Sequence, residues 1–382
     1  MKVTRIRGFH LRATLPEPIG NALVFFDRID SLLVQLVSDD GLVGWGEAWA
    51  SPAAVAAHIR TRLAPLVLGQ DPSATGRLWR AMMGALHYDR RGVAVMAVAA
   101  LDIALHDLAA RAHGVPVTAL LGGALRARVP AYASGPFFKP GGDPYRAYRD
   151  DVEGYQKRGF RAFKPHAGLD PRADGAMALA LRRQIGPDGG LMMDYNQSYT
   201  ARAAIRSAKC MEEADLLLLE EPVMPEDIAG YREVARHVLP ALAGGEALGS
   251  LAAFREYLVA EAVDVLQPDV TICGGFTGCM RVAALAEAFD VPVMPHVWGT
   301  AVNFNAALQL AAVLPPQRGG GPAVFPMIEY DATSSPLFAL AGTPPVDPDG
   351  MLAVPDAPGL GVDLTDEALR AWTVDQWEIA AN

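Results

Sequence analysis

Two different rhythms of apolar and polar positions divide the chain. Up to about residue 126, strand-like alternation comes first and helical spacing afterwards. Residues 3–15 and 31–37 read as strands, and Asp39-Asp40-Gly41 is a hairpin turn signal leading into a further extended stretch at 42–47. Helical patterns follow over residues 51–66, 74–86 and 92–113, and the last is apolar on nearly every face, as a buried helix is. Strands followed by helices indicate an α+β unit. Two stretches, residues 16–28 and 87–91, fit neither rhythm and read as loops.

From residue 127 the pattern changes to short apolar runs alternating with helical segments. The runs end near Ser134, Lys164, Asp194, Glu220, Gly245, Pro268, Pro295 and Glu329. Helices are predicted between them, for example over residues 251–260 and 143–158, where Asp143 reads as an N-cap and Pro144 as the first helical residue. Eight strands of parallel character predict an α/β barrel. The triplet Gly319 to Gly321 lies in a Pro-flanked loop with no following P-loop lysine, so it reads as a connection and not a phosphate cradle. Residues 331–382 are turn-rich, with a helical signal at 365–372, and are expected to pack back on the N-terminal unit and close the mouth of the barrel. The expected organisation is a capping domain at 1–126, a barrel at 127–330 and a C-terminal segment at 331–382.

The chemistry gathers where apolar runs meet acids. Asp194 follows Leu191-Met192-Met193, Glu220 follows Leu216 to Leu219, and Glu246 follows Ala241 to Gly245; each acid lies 26 residues after the one before. That interval is one strand-helix unit, so the three are expected at equivalent strand ends on the C-terminal face, where barrel enzymes carry their functional groups. Three carboxylates converging on one rim repel one another unless a cation sits between them, and hard oxygen ligands suit Mg²⁺. Lysine is scarce, with five in the chain, and Lys164 alone follows an apolar strand; His166, two residues on, faces the same way. Asp269 and His296 end adjacent predicted strands, which places a carboxylate against one imidazole nitrogen and leaves the other free to move a proton. Glu329 ends the last strand and reads as a group that hydrogen-bonds a developing enediolate oxygen. Asn196, Trp298, Arg28 and His87 are candidate substrate contacts.

The bulk numbers narrow the function classes. A net charge of −10 argues against a nucleic-acid partner, and an acidic protein taking an anionic substrate needs a local cation. Cys210, Cys273 and Cys279 are too few for a disulfide framework. The N-terminus lacks a signal-peptide core, and no run approaches the about 18 apolar residues of a membrane span. A cytoplasmic, homo-oligomeric protein with no membrane partner is expected.

Taken together, the segments GLVGWGEAW and ALDIALHDLAARAHGVPVTALLGG, the Lys164-Pro165-His166 strand, the three acids, the QPD and PHVWG motifs and the terminal IEYD resemble the enolase superfamily, mandelate racemase/muconate lactonizing enzyme subgroup. The resemblance implies an α+β capping domain on a (β/α)7β barrel. It implies Mg²⁺ on Asp194, Glu220 and Glu246, His296 with Asp269 as the acid/base dyad, and Glu329 as the electrophilic acid. GGFTG, PHVWGTAV and PMIEYD look most like sugar-acid enzymes of the galactarolactone cycloisomerase kind. The implied reaction is removal of the proton α to a sugar-acid carboxylate, giving a metal-stabilised enediolate, then β-elimination. Racemisation or epimerisation of the same substrates, or metal binding without catalysis, are the alternatives. In this branch the second barrel strand carries Lys-x-Lys; here the second lysine is replaced by His166, which is expected at the barrel mouth across from His296 as a neutral base.

Overall fold

The computed structural model describes residues 1–318, 325–342 and 344–381, so the triplet Gly319 to Gly321 lies outside the described residues. A four-stranded antiparallel sheet begins the chain: β1 (Val3–Gly20), β2 (Phe25–Ser38) and β3 (Val43–Ala48), with the distant β12 (Thr373–Ala380) on the outer side of β1. The hairpin is longer than expected. Residues 16–28, read above as a loop, form its far end, where the register between Thr14 and Ile19 slips around Pro16 and Pro18, neither of which has an N–H to give to a ladder. Gly20 and Phe138 exchange backbone hydrogen bonds of 2.9 and 2.8 Å, which fastens this tip to the segment after the first barrel strand.

Against the sheet pack α1 (Pro52–His58) and α4 (Val93–His113), and α2 (Ala64–Val67) and α3 (Thr75–Gly84) join the same buried cluster, α3 lying on α4. The contact of β3 with α4 explains why Trp45 is flanked by glycines: a Cβ on Gly46 would stand 1.9 Å from the Ala100 carbonyl oxygen. By length and mean hydropathy α4 passes for a membrane span, although its unbroken apolar stretch, residues 93–101, ends at Asp102. It is 89% buried over its most apolar window, and its Asp102 and Asp107 are paired internally, so it serves as the core helix of the N-terminal unit.

The barrel strands are β4 (Arg128–Ser134), β5 (Ala162–Lys164), β6 (Gly190–Asp194), β7 (Leu218–Glu220), β8 (Ala241–Gly244), β9 (Val265–Leu266) and β10 (Ile328–Asp331), all parallel in the order β10-β4-β5-β6-β7-β8-β9. The strand expected to end near Pro295 is reduced to two isolated bridges, Leu266 to Val293 and Asp269 to His296, because Pro292 and Pro295 cannot donate. Its place in the ring is nonetheless filled. Tyr132, Ala162, Met192, Leu218, Ala243, Val265, Met294 and Met327 form one buried cluster, a layer of inward side chains drawn from each strand position in turn. Around it run α5 (Val117–Leu120), α6 (Tyr148–Lys157), α7 (Pro171–Ile185), α8 (Ala201–Cys210), α9 (Ile228–Ala235), α10 (Leu251–Val259), α11 (Gly275–Glu287) and α12 (Ala301–Val313). Helix α6 starts later than the sequence indicates: Asp143 instead accepts from Tyr145 N–H in a turn that Arg146 ties down through the carbonyls of Lys139, Gly141 and Asp143.

The C-terminal segment contributes β11 (Met351–Ala353), antiparallel to β4, α13 (Asp366–Arg370) and β12. It does not close the barrel mouth as expected. None of the described residues of 331–382 lines the cavity there, which is covered instead by the β1–β2 hairpin and the turn from β3 into α1.

One buried acid links the N-terminal unit to the barrel. Glu47, at the end of β3, accepts from Ser31 Oγ (2.7 Å), Thr300 N (2.8 Å), Thr300 Oγ1 (2.6 Å) and Asn303 N (2.8 Å), so it caps the positive end of α12 from outside the helix. Burial pushes its carboxyl from 4.5 to about 7 against the pull of those donors. A raised carboxyl pKa means the folded chain holds the proton more tightly than the unfolded one. The associated stability is present in full below pH 4.5 and is lost as the pH rises through 7. Relative to Glu47→Gln, wild type is therefore expected to lose on the order of 3 kcal/mol across that window. Denaturant melts of both proteins at the two ends of the range measure it; parallel pH profiles would contradict it.

Candidate active site

Asp194 and Glu220 end β6 and β7 and are direct cross-strand partners, as the equal spacing predicts. Glu246 departs from that equivalence. Glu220 pairs with Ala243, and the chain runs on through Gly245 at φ +124°, a conformation suited to glycine, before reaching Glu246. The third acid therefore stands farther up the rim. All three carboxyls rise to about 7: burial is the main cause, and repulsion from neighbouring acids adds to it. As they stand, no three His, Cys, Asp or Glu side chains among the described residues are close enough to hold a metal ion. A cation already sits among them: the Lys164 ammonium bonds Glu220, lies 2.8 Å from Glu329 and 3.8 Å from Asp194. Burial would depress this lysine, but Glu220 and Glu329 outweigh it and hold it charged. Gln267, from the QPD motif, donates to the other Glu220 oxygen. The donor set, the buried carboxyls of Asp194 and Glu220 with the partly exposed one of Glu246, all oxygen donors, fits a hard divalent cation.

Beyond Lys164, the His166 ring enters the cavity. Asn196 gives its amide nitrogen to Asp194 Oδ2 (3.0 Å), so its oxygen faces His166 Nδ1 at 2.6 Å and takes the Nδ1 proton. The lone pair is left on Nε2, which is buried and has no hydrogen-bond partner. Burial, with help from the Lys164 charge, lowers the imidazolium to about 3, so the ring is neutral. Phe137 packs on it with ring centroids 4.0 Å apart.

Asp269 and His296 meet as the sequence indicates. Asp269 Oδ2 stands 2.8 Å from His296 Nδ1, while Thr271 N and Oγ1 occupy Oδ1 at 2.7 and 2.6 Å. His296 Nε2 is left 3.4 Å from Glu246 Oε2. Burial alone would lower this imidazolium, but Glu246, Glu329 and Asp269 raise it well above its usual value. The two histidines therefore sit in opposite protonation states, one a potential base and one a potential acid.

Glu329 lies in β10 beside the buried Lys164. Its Oε1 accepts from Ser134 Oγ (2.7 Å) and Lys164, and its Oε2 from Val297 N (3.0 Å). Burial works against ionisation, yet Lys164 and His296 hold the carboxyl at about 2. Both carboxyl oxygens are thus engaged, and one of them holds the Lys164 ammonium in place.

A cavity of about 500 Å³ gathers Arg28, His166, Asp194, Asn196, Glu246, His296, Trp298 and Glu329 in its lining. Lys164, Glu220 and Asp269 stand directly behind as partners of these groups. His87 is not brought in: it is exposed on a surface loop beside Tyr88 and forms no part of the cavity wall. Trp49, Ser134 and Phe137 were missed as site residues. Trp49 Nε1 donates to Asp269 Oδ2 at 3.1 Å, a contact foreshadowed only by the tryptophan at the end of GLVGWGEAW.

A barrel rim that sets a lysine, an anionic cation site and an Asp–His pair around one cavity defines a protein built for acid–base chemistry on a small anion. Residues 6–122 match the family described as mandelate racemase / muconate lactonizing enzyme, N-terminal domain, and residues 147–368 the one described as enolase C-terminal domain-like. The chain belongs to this mandelate racemase/muconate lactonizing enzyme group of the enolase superfamily. It is 35% identical to D-galactarolactone cycloisomerase of Agrobacterium fabrum, over 97% of this chain and 98% of that one. It is 34% identical to D-gluconate dehydratase of Thermoproteus tenax, over 91% of this chain and 71% of the relative. Among solved structures, a racemase from Streptomyces coelicolor with bound magnesium superposes with a TM-score of 0.86 at 29% identity, covering 97% of this chain and all of that one.

Proposed function

We propose that this chain is a Mg²⁺-dependent enzyme that removes the proton α to the carboxylate of a sugar acid and then expels a β-substituent, as an acid-sugar dehydratase or lactone cycloisomerase. The observation that carries this reading is the pair of histidines on one cavity. His166 offers an unprotonated Nε2 and His296 a protonated one, beside the carboxyl groups of Asp194, Glu220 and Glu246, which repel one another. Asp194, Glu220 and Glu246 would hold the Mg²⁺, and a racemase of the same fold has magnesium bound. When bound, the ion supplies positive charge to the substrate carboxylate and so acidifies its α-carbon. Lys164, fixed by Glu329, stands ready to add a second positive charge there. His166 takes the α-proton on Nε2, with Nδ1 held by Asn196. His296, whose Nδ1 is held by Asp269, gives its Nε2 proton to the departing β-oxygen. The substrate is a small-molecule carboxylate, with no nucleic-acid or membrane partner. The assignment to a cytoplasmic homo-oligomer is supported, for the compartment, by three free cysteines.

The test is a panel of sugar acids and their lactones incubated with the Mg²⁺-loaded enzyme in D₂O and followed by NMR. A keto acid or rearranged product is expected; a deuterated stereoisomer alone would make the enzyme an epimerase, and no exchange with any member would overturn the reading. Within it, His166→Asn is expected to slow turnover by roughly 10²-fold or more, the usual worth of a general base. In a His296→Asn background, exchange of the α-proton should persist and then vanish when His166 is also replaced. Wild-type exchange in the His166→Asn single variant would remove His166 from the mechanism.

A further inference from the structure

Two sulfurs that the acid–base reading leaves unused meet outside the cavity lining. Cys273 and Cys279 are both free thiols, only 5% and 1% exposed, and their Sγ atoms lie 3.1 Å apart. One stands on the turn that leaves Asp269, the other near the start of α11. The chain doubles back this tightly because position 278 is glycine: a Cβ there would stand 1.9 Å from the Cys273 carbonyl oxygen. Cys210, the remaining cysteine, ends α8 and packs against Gly175.

The two cysteines belong to segments held with unequal firmness. The start of α11 is fastened to the N-terminal unit: Asp102 accepts from Thr277 N at 2.9 Å and Thr277 Oγ1 at 2.7 Å, and Trp79 Nε1 donates to the Gly274 carbonyl at 2.7 Å. The turn carrying Cys273 is suspended from Asp269 itself, whose carbonyl oxygen accepts from Ile272 N and Cys273 N at 3.1 and 3.0 Å. A disulfide holds its sulfurs at about 2.05 Å, so closing the pair draws the two together by about 1 Å. That displacement falls on the turn, the less fastened of the two, and the turn carries the carboxylate that orients His296.

We infer that Cys273 and Cys279 form a reversible oxidation site, a dithiol that peroxides close to a disulfide, and that closing it draws Asp269 out of line with His296. The second half rests on the acid–base reading above. In the first step the Cys273 sulfur, the more exposed of the two, attacks the O–O bond of hydrogen peroxide, giving a sulfenic acid and one water. The Cys279 sulfur then displaces the sulfenic oxygen, which leaves as a second water once it has taken the Cys279 proton, and the S–S bond forms. Two electrons pass from the sulfurs to the peroxide oxygens. A dithiol reductant returns them by exchange, and in a reducing compartment the resting state is the open pair.

The experiment treats wild type, Cys210→Ala, Cys279→Ala and Cys279→Ser with hydrogen peroxide, alkylates the remaining thiols after unfolding, and maps the products by mass spectrometry. Wild type and Cys210→Ala should each lose two alkylatable thiols and gain a Cys273 to Cys279 linkage that dithiothreitol opens; neither Cys279 variant should form one. Three intact thiols in folded wild type under conditions that oxidise the unfolded chain, linkage through Cys210, or separate oxidation of the two sulfurs would overturn the site. On the acid found in the D₂O panel, oxidised wild type should turn over roughly tenfold more slowly or worse, the cost of misplacing a catalytic group by this much. Dithiothreitol should restore the rate, and the Cys279 variants should run equally fast before and after peroxide. A disulfide that leaves the rate unchanged would overturn the coupling to Asp269. Absence of turnover in the reduced enzyme on every acid sinks the acid–base reading, and the disulfide, read by mass, stands or falls without it.

Discussion

Replacing His296 by Asn is expected to lower turnover by about 10²–10⁴-fold, the cost of losing a general acid–base group, with the fold intact. The imidazole is the cavity-facing member of a chain that starts at Thr271, passes through Asp269 and ends at Nε2. Asparagine can keep the hydrogen bond to Asp269 but cannot carry a transferable proton. Asp269→Asn should also be impaired, because an amide facing Nδ1 no longer selects the tautomer that presents the proton on Nε2. Steady-state rates on the substrate found in the D₂O panel, beside thermal melts to exclude misfolding, decide it. A His296→Asn enzyme turning over near the wild-type rate would remove the dyad from the reaction.

Chelation with EDTA is expected to abolish turnover, and Glu220→Gln to abolish it irrecoverably. Glu220 is wholly buried between Lys164 and Gln267, so the amide keeps the shape of the site while losing the negative charge a cation needs. A ligand that binds only the folded state stabilises it by mass action. Mg²⁺ should therefore raise the melting temperature of wild type and leave Glu220→Gln unmoved. Full activity in EDTA, or an equal Mg²⁺ shift in the variant, would show that these acids are not the metal site.

How far the sequence foretold this site depends on which force placed each residue. Asp194, Glu220, Asp269 and His296 were legible because strand ends and parallel pairing are local properties, and the structure sets Asp194 beside Glu220 and Asp269 beside His296. Glu246 was misplaced in register because even spacing cannot report a chain turning at Gly245. The ionisation of Glu329 was not legible at all: it follows from the convergence of Lys164, His296 and Val297, which are distant in sequence. Trp49 escaped for the same reason, since its partner Asp269 lies 220 residues away. Strand β12 was missed because an exposed edge strand shows little apolar alternation; most of its residues face solvent.

The pairing of β12 with β1 bears on how the chain folds. Arg5 is matched to Ala380 and Gly8 to Trp377, so the outer edge of the first strand made stays open until nearly the whole barrel has been synthesised. Contacts this remote in sequence form late and slow the search for the native state. Until then β1 presents a row of free backbone groups of the kind that recruit strands from other chains. Aggregation during synthesis should therefore start at this edge, and a chain cut short before residue 373 would carry the hazard permanently.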